Sequence, residues 1–173
     1  MGKTIFQAVT FIIFFVIANQ ATAQIIKPSV TLGVNLLGAS AKGSFKDEYN
    51  MGGGGEVFGG VGLGRTFIIG TAGFSAFKAR SGNNSGVLTY IPLKIGLKQY
   101  VFRKLIFING DLGIATVKNK NFKESRFTRG IGAGVKLLGL EVALYYDGWK
   151  NINSNAKGFQ NAAFGKLGYS FTL

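Results

Sequence analysis

An all-β fold, an eight-stranded antiparallel up-and-down transmembrane β-barrel, is what this sequence predicts, and three observations predict it. Apolar residues alternate with small or polar ones in eight segments, with period two rather than 3.6. The connections between the segments run long, short, long, short to the end of the chain, which is the pattern of a membrane barrel. The non-apolar face of the segments carries few charges and much glycine and aromatic side chain. The chain has 27 glycines in 173 residues and 13% aromatics, whereas soluble domains hold about 7% glycine.

The segment 127–149 is the clearest. Ile131, Ala133, Val135 and Leu137 alternate with glycines and Lys136, and Leu140, Val142, Leu144 and Tyr146 resume after Leu138-Gly139. With those two residues as a turn, Val135 opposes Val142 and Ala133 opposes Leu144 on one face. On the other, Lys136 opposes Glu141 and Gly132 opposes Tyr145. Opposite charges and a glycine–aromatic pair in register favour cross-strand pairing.

The other elements follow in order. Segment 30–38 alternates Val30, Leu32, Val34 and Leu36 against Thr31, Gly33 and Asn35, and 40–54, polar and then glycine-rich, reads as a loop. Segment 56–64 follows, with Arg65-Thr66 as a tight turn. Segment 67–78 is a strand with both faces apolar or small, so its orientation stays open. Residues 80–86 are a loop. Segment 87–98 alternates Ile91, Leu93, Ile95 and Leu97 against Tyr90, Pro92, Lys94, Gly96 and Lys98, with a local bulge expected at Pro92. A turn over 99–102, a strand over 105–117 and a loop over 118–126 lead to the hairpin. A loop over 150–160 precedes the last strand, 163–173.

Residues 1–23 read as a signal peptide, with Lys3 ahead of an apolar stretch over 5–18 and Ala21-Thr22-Ala23 as the cleavage site. The stretch is shorter than the roughly 20 residues a spanning helix needs. The barrel domain is then 24–173.

In a soluble barrel the apolar face points inward; in a membrane barrel it points to lipid. Of the seven acids, Glu56, Asp111, Glu141 and Asp147 lie opposite the Ile/Leu/Val row, as do Lys94, Lys136 and Lys166. These seven are expected to form a structural charge network inside a narrow barrel, because a solvent-washed face would carry more charge. Two clusters of aromatics are expected as belts at the membrane interfaces. Phe67, Tyr100, Phe102, Tyr169 and Phe171 make one, and Phe77, Tyr90, Phe127, Tyr146 and Trp149 the other.

The chain contains no histidine and no cysteine, which removes Ser–His and Cys–His nucleophiles and the commonest metal ligands. The glycines at 60, 62 and 64 and at 130, 132 and 134 have strand spacing, with no following helix to bind phosphate. No catalytic, cofactor or metal site is expected. Of the net charge of +13, a surplus of six lies in the long loops, where Lys42, Lys46, Arg80, Lys118, Lys120, Lys123, Arg126, Lys150 and Lys157 stand against Asp47, Glu48 and Glu124.

The Ala21-Thr22-Ala23-Gln24 cleavage site, the strands GGVGLG, GIGAGV and YIPLKIG and the terminal GYSFTL resemble the small outer-membrane β-barrel family, also described as the outer membrane protein β-barrel domain or porin-like family. The resemblance implies a place in the outer membrane of a Gram-negative envelope. It also implies recognition of the last strand by the barrel-assembly machinery, although that strand ends on Leu173 with Phe171 two residues earlier. Enzymes built on such barrels rely on histidine, so no enzymatic activity is expected. The loop lysines and arginines are expected to meet outer-membrane lipids, lipopolysaccharide phosphates among them; after export, nucleic acid is not expected as a partner. The function expected is structural, or interaction through the extracellular loops. The alternatives are a narrow channel for small solutes and a soluble periplasmic ligand-binding barrel.

Overall fold

Eight antiparallel strands pair in sequence order and the last closes on the first. They are β1 (Pro28–Lys42), β2 (Tyr49–Leu63), β3 (Thr66–Ala79), β4 (Leu88–Phe102), β5 (Ile106–Lys118), β6 (Lys123–Leu137), β7 (Leu140–Lys150) and β8 (Phe159–Thr172). One helical turn, α1 (Phe45–Glu48), sits between β1 and β2. The computed structural model describes residues 28–81, 86–150 and 159–173. The expected signal peptide over 1–23 and most of the 150–160 loop lie outside the described residues.

The hairpin of β6 and β7 has the register read from the sequence, with Val135↔Val142, Lys136↔Glu141, Gly132↔Tyr145 and Ala133↔Leu144. Elsewhere the strands are longer than expected. Most have 13–15 residues, against the 9–11 that a tilted crossing of the hydrocarbon layer needs. The loop expected over 40–54 shrinks to 43–48, and the glycines at 52–55 are paired with β1. The loop expected over 118–126 shrinks to 119–122, and Lys123–Arg126 pairs with β5. The turn expected over 99–102 lies at 103–105, and the β2–β3 turn at 64–65. The polar strand ends extend past the apolar zone, so polarity there marks the end of the membrane and not the end of the strand. Long connections still gather at one end and short ones at the other.

Pro92 produces no bulge. The β3–β4 register is the same at Ala72↔Leu93 and Ser75↔Tyr90, and only the pairing between them lapses. Proline has no N–H to give the ladder, and on its other side Pro92 stays in register with Ala115.

Apolar side chains point outward around the whole circumference, with Leu36 71% and Leu144 75% exposed. The core lies inside the barrel. Near the long-loop end it is built from Phe45, Tyr49, Phe77, Tyr90, Trp149 and Phe164. Near the short-turn end Phe58, Phe67, Ile69, Tyr100, Phe107 and Ala143 form a second cluster. The strand left unoriented, β3, turns Phe67, Ile69, Ser75 and Phe77 inward and Ile68 and Phe74 outward. The belts are thereby corrected. Phe102, Tyr169, Phe171, Phe127 and Tyr146 do face outward, but Phe67, Tyr100, Phe77, Tyr90 and Trp149 are buried in the bore. Clustering by height along the strand cannot tell the two faces apart.

Candidate functional site

Most of the polar side chains that meet one another among the described residues do so in the bore and at its long-loop end. Three tiers of side chains occupy the bore. At the long-loop end α1 inserts Phe45 among Tyr49, Phe77 and Trp149, with ring centroids 5.0–5.1 Å away. Tyr90 stacks on Trp149 at 4.6 Å. Trp149 Nε1 donates to Gln160 Oε1 (2.9 Å), which also accepts from Arg126 (2.8 Å), and Arg126 pairs with Glu124 at 3.0 Å.

Charges fill the middle tier. Asp147 accepts from Lys94, from Tyr90 (3.0 Å) and from Thr128 (3.1 Å). Asp111 accepts from the Tyr145 hydroxyl, with Lys94 Nζ 3.5 Å from its other oxygen. Glu56 accepts from Lys166 (2.7 Å) and Asn35 (2.8 Å). Tyr145 reaches Asp111 because glycines face it from β6. A Cβ at Gly132 would strike the Tyr145 ring, and one at Gly130 the same ring and an Asp111 oxygen.

The third tier centres on Lys98. Its ammonium donates to both Glu141 oxygens at 2.7 Å, and the rings of Phe107, Phe58 and Tyr100 surround it at 4.0, 5.2 and 5.5 Å. Ser170 donates to Glu141 at 2.6 Å, and Lys136 stands 3.8 Å from it. Between the second and third tiers lies a cavity of about 30 Å³, lined in part by Asn35, Thr71, Asn109 and Asp111. Asn109 Oδ1 and Asp111 Oδ1 have no hydrogen-bond donor there, and the space suits a water or two.

All seven charged residues read from the sequence face the bore and each lies within 4 Å of an opposite charge. The pairing differs from the expected one in one respect. Glu141 is held chiefly by Lys98, across the barrel from β4, and only at longer range by its cross-strand neighbour Lys136. Lys98 is not in the expected network, although the alternation puts it on the same face as Lys94; β4 runs on to Phe102, so Lys98 lies within the bore and not at its end. Its position four residues after Lys94, on the same face, was the available signal. Phe45 carries no such signal, because it stands in the polar 40–54 segment with no alternation around it.

Four acids (Glu56, Asp111, Glu141, Asp147) thus face four lysines (Lys94, Lys98, Lys136, Lys166) in the bore, and the positive excess lies at the ends. Arg65, Arg103 and Lys104 are exposed at the short turns. Lys42, Lys78, Lys118, Lys123, Arg129 and Lys150 point outward at the other end, with Lys46, Arg80 and Lys120 in the connections. Among the described residues no three potential metal ligands converge.

No family model and no curated protein matches the chain. Solved structures do. Neisserial surface protein A superposes with a TM-score of 0.54 at 13% identity, over 83% of this chain and 96% of that one. The N-terminal β-barrel domain of Pseudomonas aeruginosa OprF does so with a TM-score of 0.56 at 12% identity, over 82% of this chain and 97% of that one. The chain has the fold of the small outer-membrane barrels. At such identity the likeness covers strand number, order and closure, and nothing about the bore or the rim is carried over from either protein.

Proposed function

We propose that this chain is an integral outer-membrane barrel whose bore is closed by its own side chains, with a structural role or one in surface interaction through its basic outer end. The short turns at 64–65, 103–105 and 138–139 face the periplasm, and the longer connections face outside. The observation that carries this reading is the inversion of polarity. A continuous apolar exterior encloses a bore whose acids each have a lysine partner. A soluble ligand-binding barrel would have to leave Leu36, Leu144 and some thirty other large apolar side chains in water, far beyond the patch a soluble monomer tolerates. The same reading has no place for catalysis, since the chain lacks histidine and cysteine and its bore carboxylates are engaged by lysines.

Conductance in planar bilayers is the test. Eight strands leave an interior just wide enough for side chains, so the refolded protein is expected to insert without discrete ion-conducting steps. Steps of steady amplitude after insertion would establish the narrow-channel alternative instead.

A further inference from the structure

Outward side chains form rows around the barrel wall, and in the half nearer the long connections two rows lack bulk. Gly53, Gly38 and Gly165 stand in register across β2, β1 and β8, and Met51, Ser40 and Ala163 stand one row above. A Cβ at Gly38 would meet nothing within 4 Å, so the space is open to the outside. Leu144 and Tyr146 of β7, register partners of Gly165 and Ala163, wall it on one side together with Ile131. Met51 walls it on the other. The result is an apolar groove of about 570 Å³.

What lies above it is cationic. The next outward row is Lys42, Asn161, Gly148 and Arg129, with Lys150 one row higher, opposite Phe159. Lys42, Arg129 and Lys150 are exposed, and none makes an ion pair with a described acid. Arg129 lies over the Phe159 ring at 4.0 Å, which holds it against the wall. Three strand spacings, roughly 14 Å, separate the Lys42 and Arg129 backbones. Only an asparagine and a glycine stand between them, so two long side chains bracket a seat of low bulk.

Resting on the membrane reading above, we infer that this groove holds an acyl chain of a phosphorylated lipid of the outer leaflet, with the phosphate between Lys42 and Arg129. The cations supply charge-assisted hydrogen bonds that a zwitterionic headgroup satisfies less well. The groove supplies contact with a tail; a second apolar groove of about 540 Å³ lies on the wall beside Leu32, Val57 and Tyr169, but this one lies directly beneath the Lys42 and Arg129 row.

The test uses the full barrel in micelles doped with phosphatidylglycerol, or with phosphatidylcholine of the same chains, read by native mass spectrometry. Unboiled gel migration verifies that each variant is folded. The wild type is expected to retain one phosphatidylglycerol in preference to phosphatidylcholine. Gly38→Leu, which fills the groove, and the pair Lys42→Gln/Arg129→Gln should each lower retention about tenfold, equivalent to about 1.4 kcal/mol. Lys118→Gln/Lys123→Gln, which removes the same charge elsewhere on the rim, should leave it unchanged. Equal loss in that control would mean general charge attraction and overturn the site. So would unchanged retention in Gly38→Leu, or a wild-type dimer that Gly38→Leu dissolves, which would give the groove to a second copy. A barrel that stays monodisperse without detergent would instead refute the membrane reading itself.

Discussion

Lys98 shows how much one buried ammonium can organise. Its side chain comes from β4, its counter-ion from β7, and the rings around it from β2, β4 and β5. Removing it leaves Glu141 without its principal partner, and a buried charge that loses its partner costs about 3–5 kcal/mol. Lys98→Met is therefore expected to destabilise the barrel by that order. Lys136→Met should cost clearly less, because its ammonium is farther from Glu141 and the side chain is 15% exposed. Lys98→Met/Glu141→Gln should recover part of the loss. Urea unfolding of the barrel refolded in lipid vesicles measures all three. A larger loss for Lys136 than for Lys98 would make the cross-strand pair the dominant one. The face that each charged residue occupies was legible from period two alone. Its partner was not, because Lys98 and Glu141 meet across the bore, and a sequence shows only neighbours along a strand or across one turn.

At the scale of the element, the β6–β7 hairpin was legible to the residue and the β1–β2 connection was not. In the hairpin the alternation runs unbroken to a two-residue turn, and a slip of one position would turn every side chain to the wrong face. Over 40–42 and 49–54 the ladder continues, but Ser40, Lys42 and glycines break the outward apolar alternation that marks a strand in the sequence. The hairpin turn also carries strain. Leu138 and Gly139 adopt φ of +50° and +90°, the left-handed region where Asn-Gly is the favoured pair and a leucine is not. Leu138 is 90% exposed, so it has little packing to lose. Leu138→Asn should raise stability by about 1 kcal/mol, seen as a higher urea midpoint. Gly139→Ala should lower it, since a Cβ there would lie 2.6 Å from the Tyr169 ring as well as straining the backbone. A neutral Leu138→Asn would mean that the turn relaxes in the membrane-bound protein.

For the whole molecule, closure and inverted polarity make separate predictions. A closed barrel has no edge strand from which to unravel, so the unboiled protein should migrate faster than the boiled protein in detergent gels. A single band at both temperatures would contradict closure. Leu144→Lys puts a charge on the lipid face and should cost roughly 2–4 kcal/mol near the midplane, read as a loss of folded protein in vesicles. Met51→Lys, close beneath the Lys42 row, should cost much less.

The central claim, apolar wall in lipid and filled bore within, is tested most directly by spin labels along β7. The chain has no cysteine, so each introduced cysteine gives one label. In vesicles, labels at 140, 142, 144 and 146 should be accessible to oxygen and not to a water-soluble nickel reagent. Labels at 141, 143, 145 and 147 should be shielded from both. Nickel access at the even positions would put the apolar face in water, and nickel access at the odd positions would open the bore; either result contradicts the account.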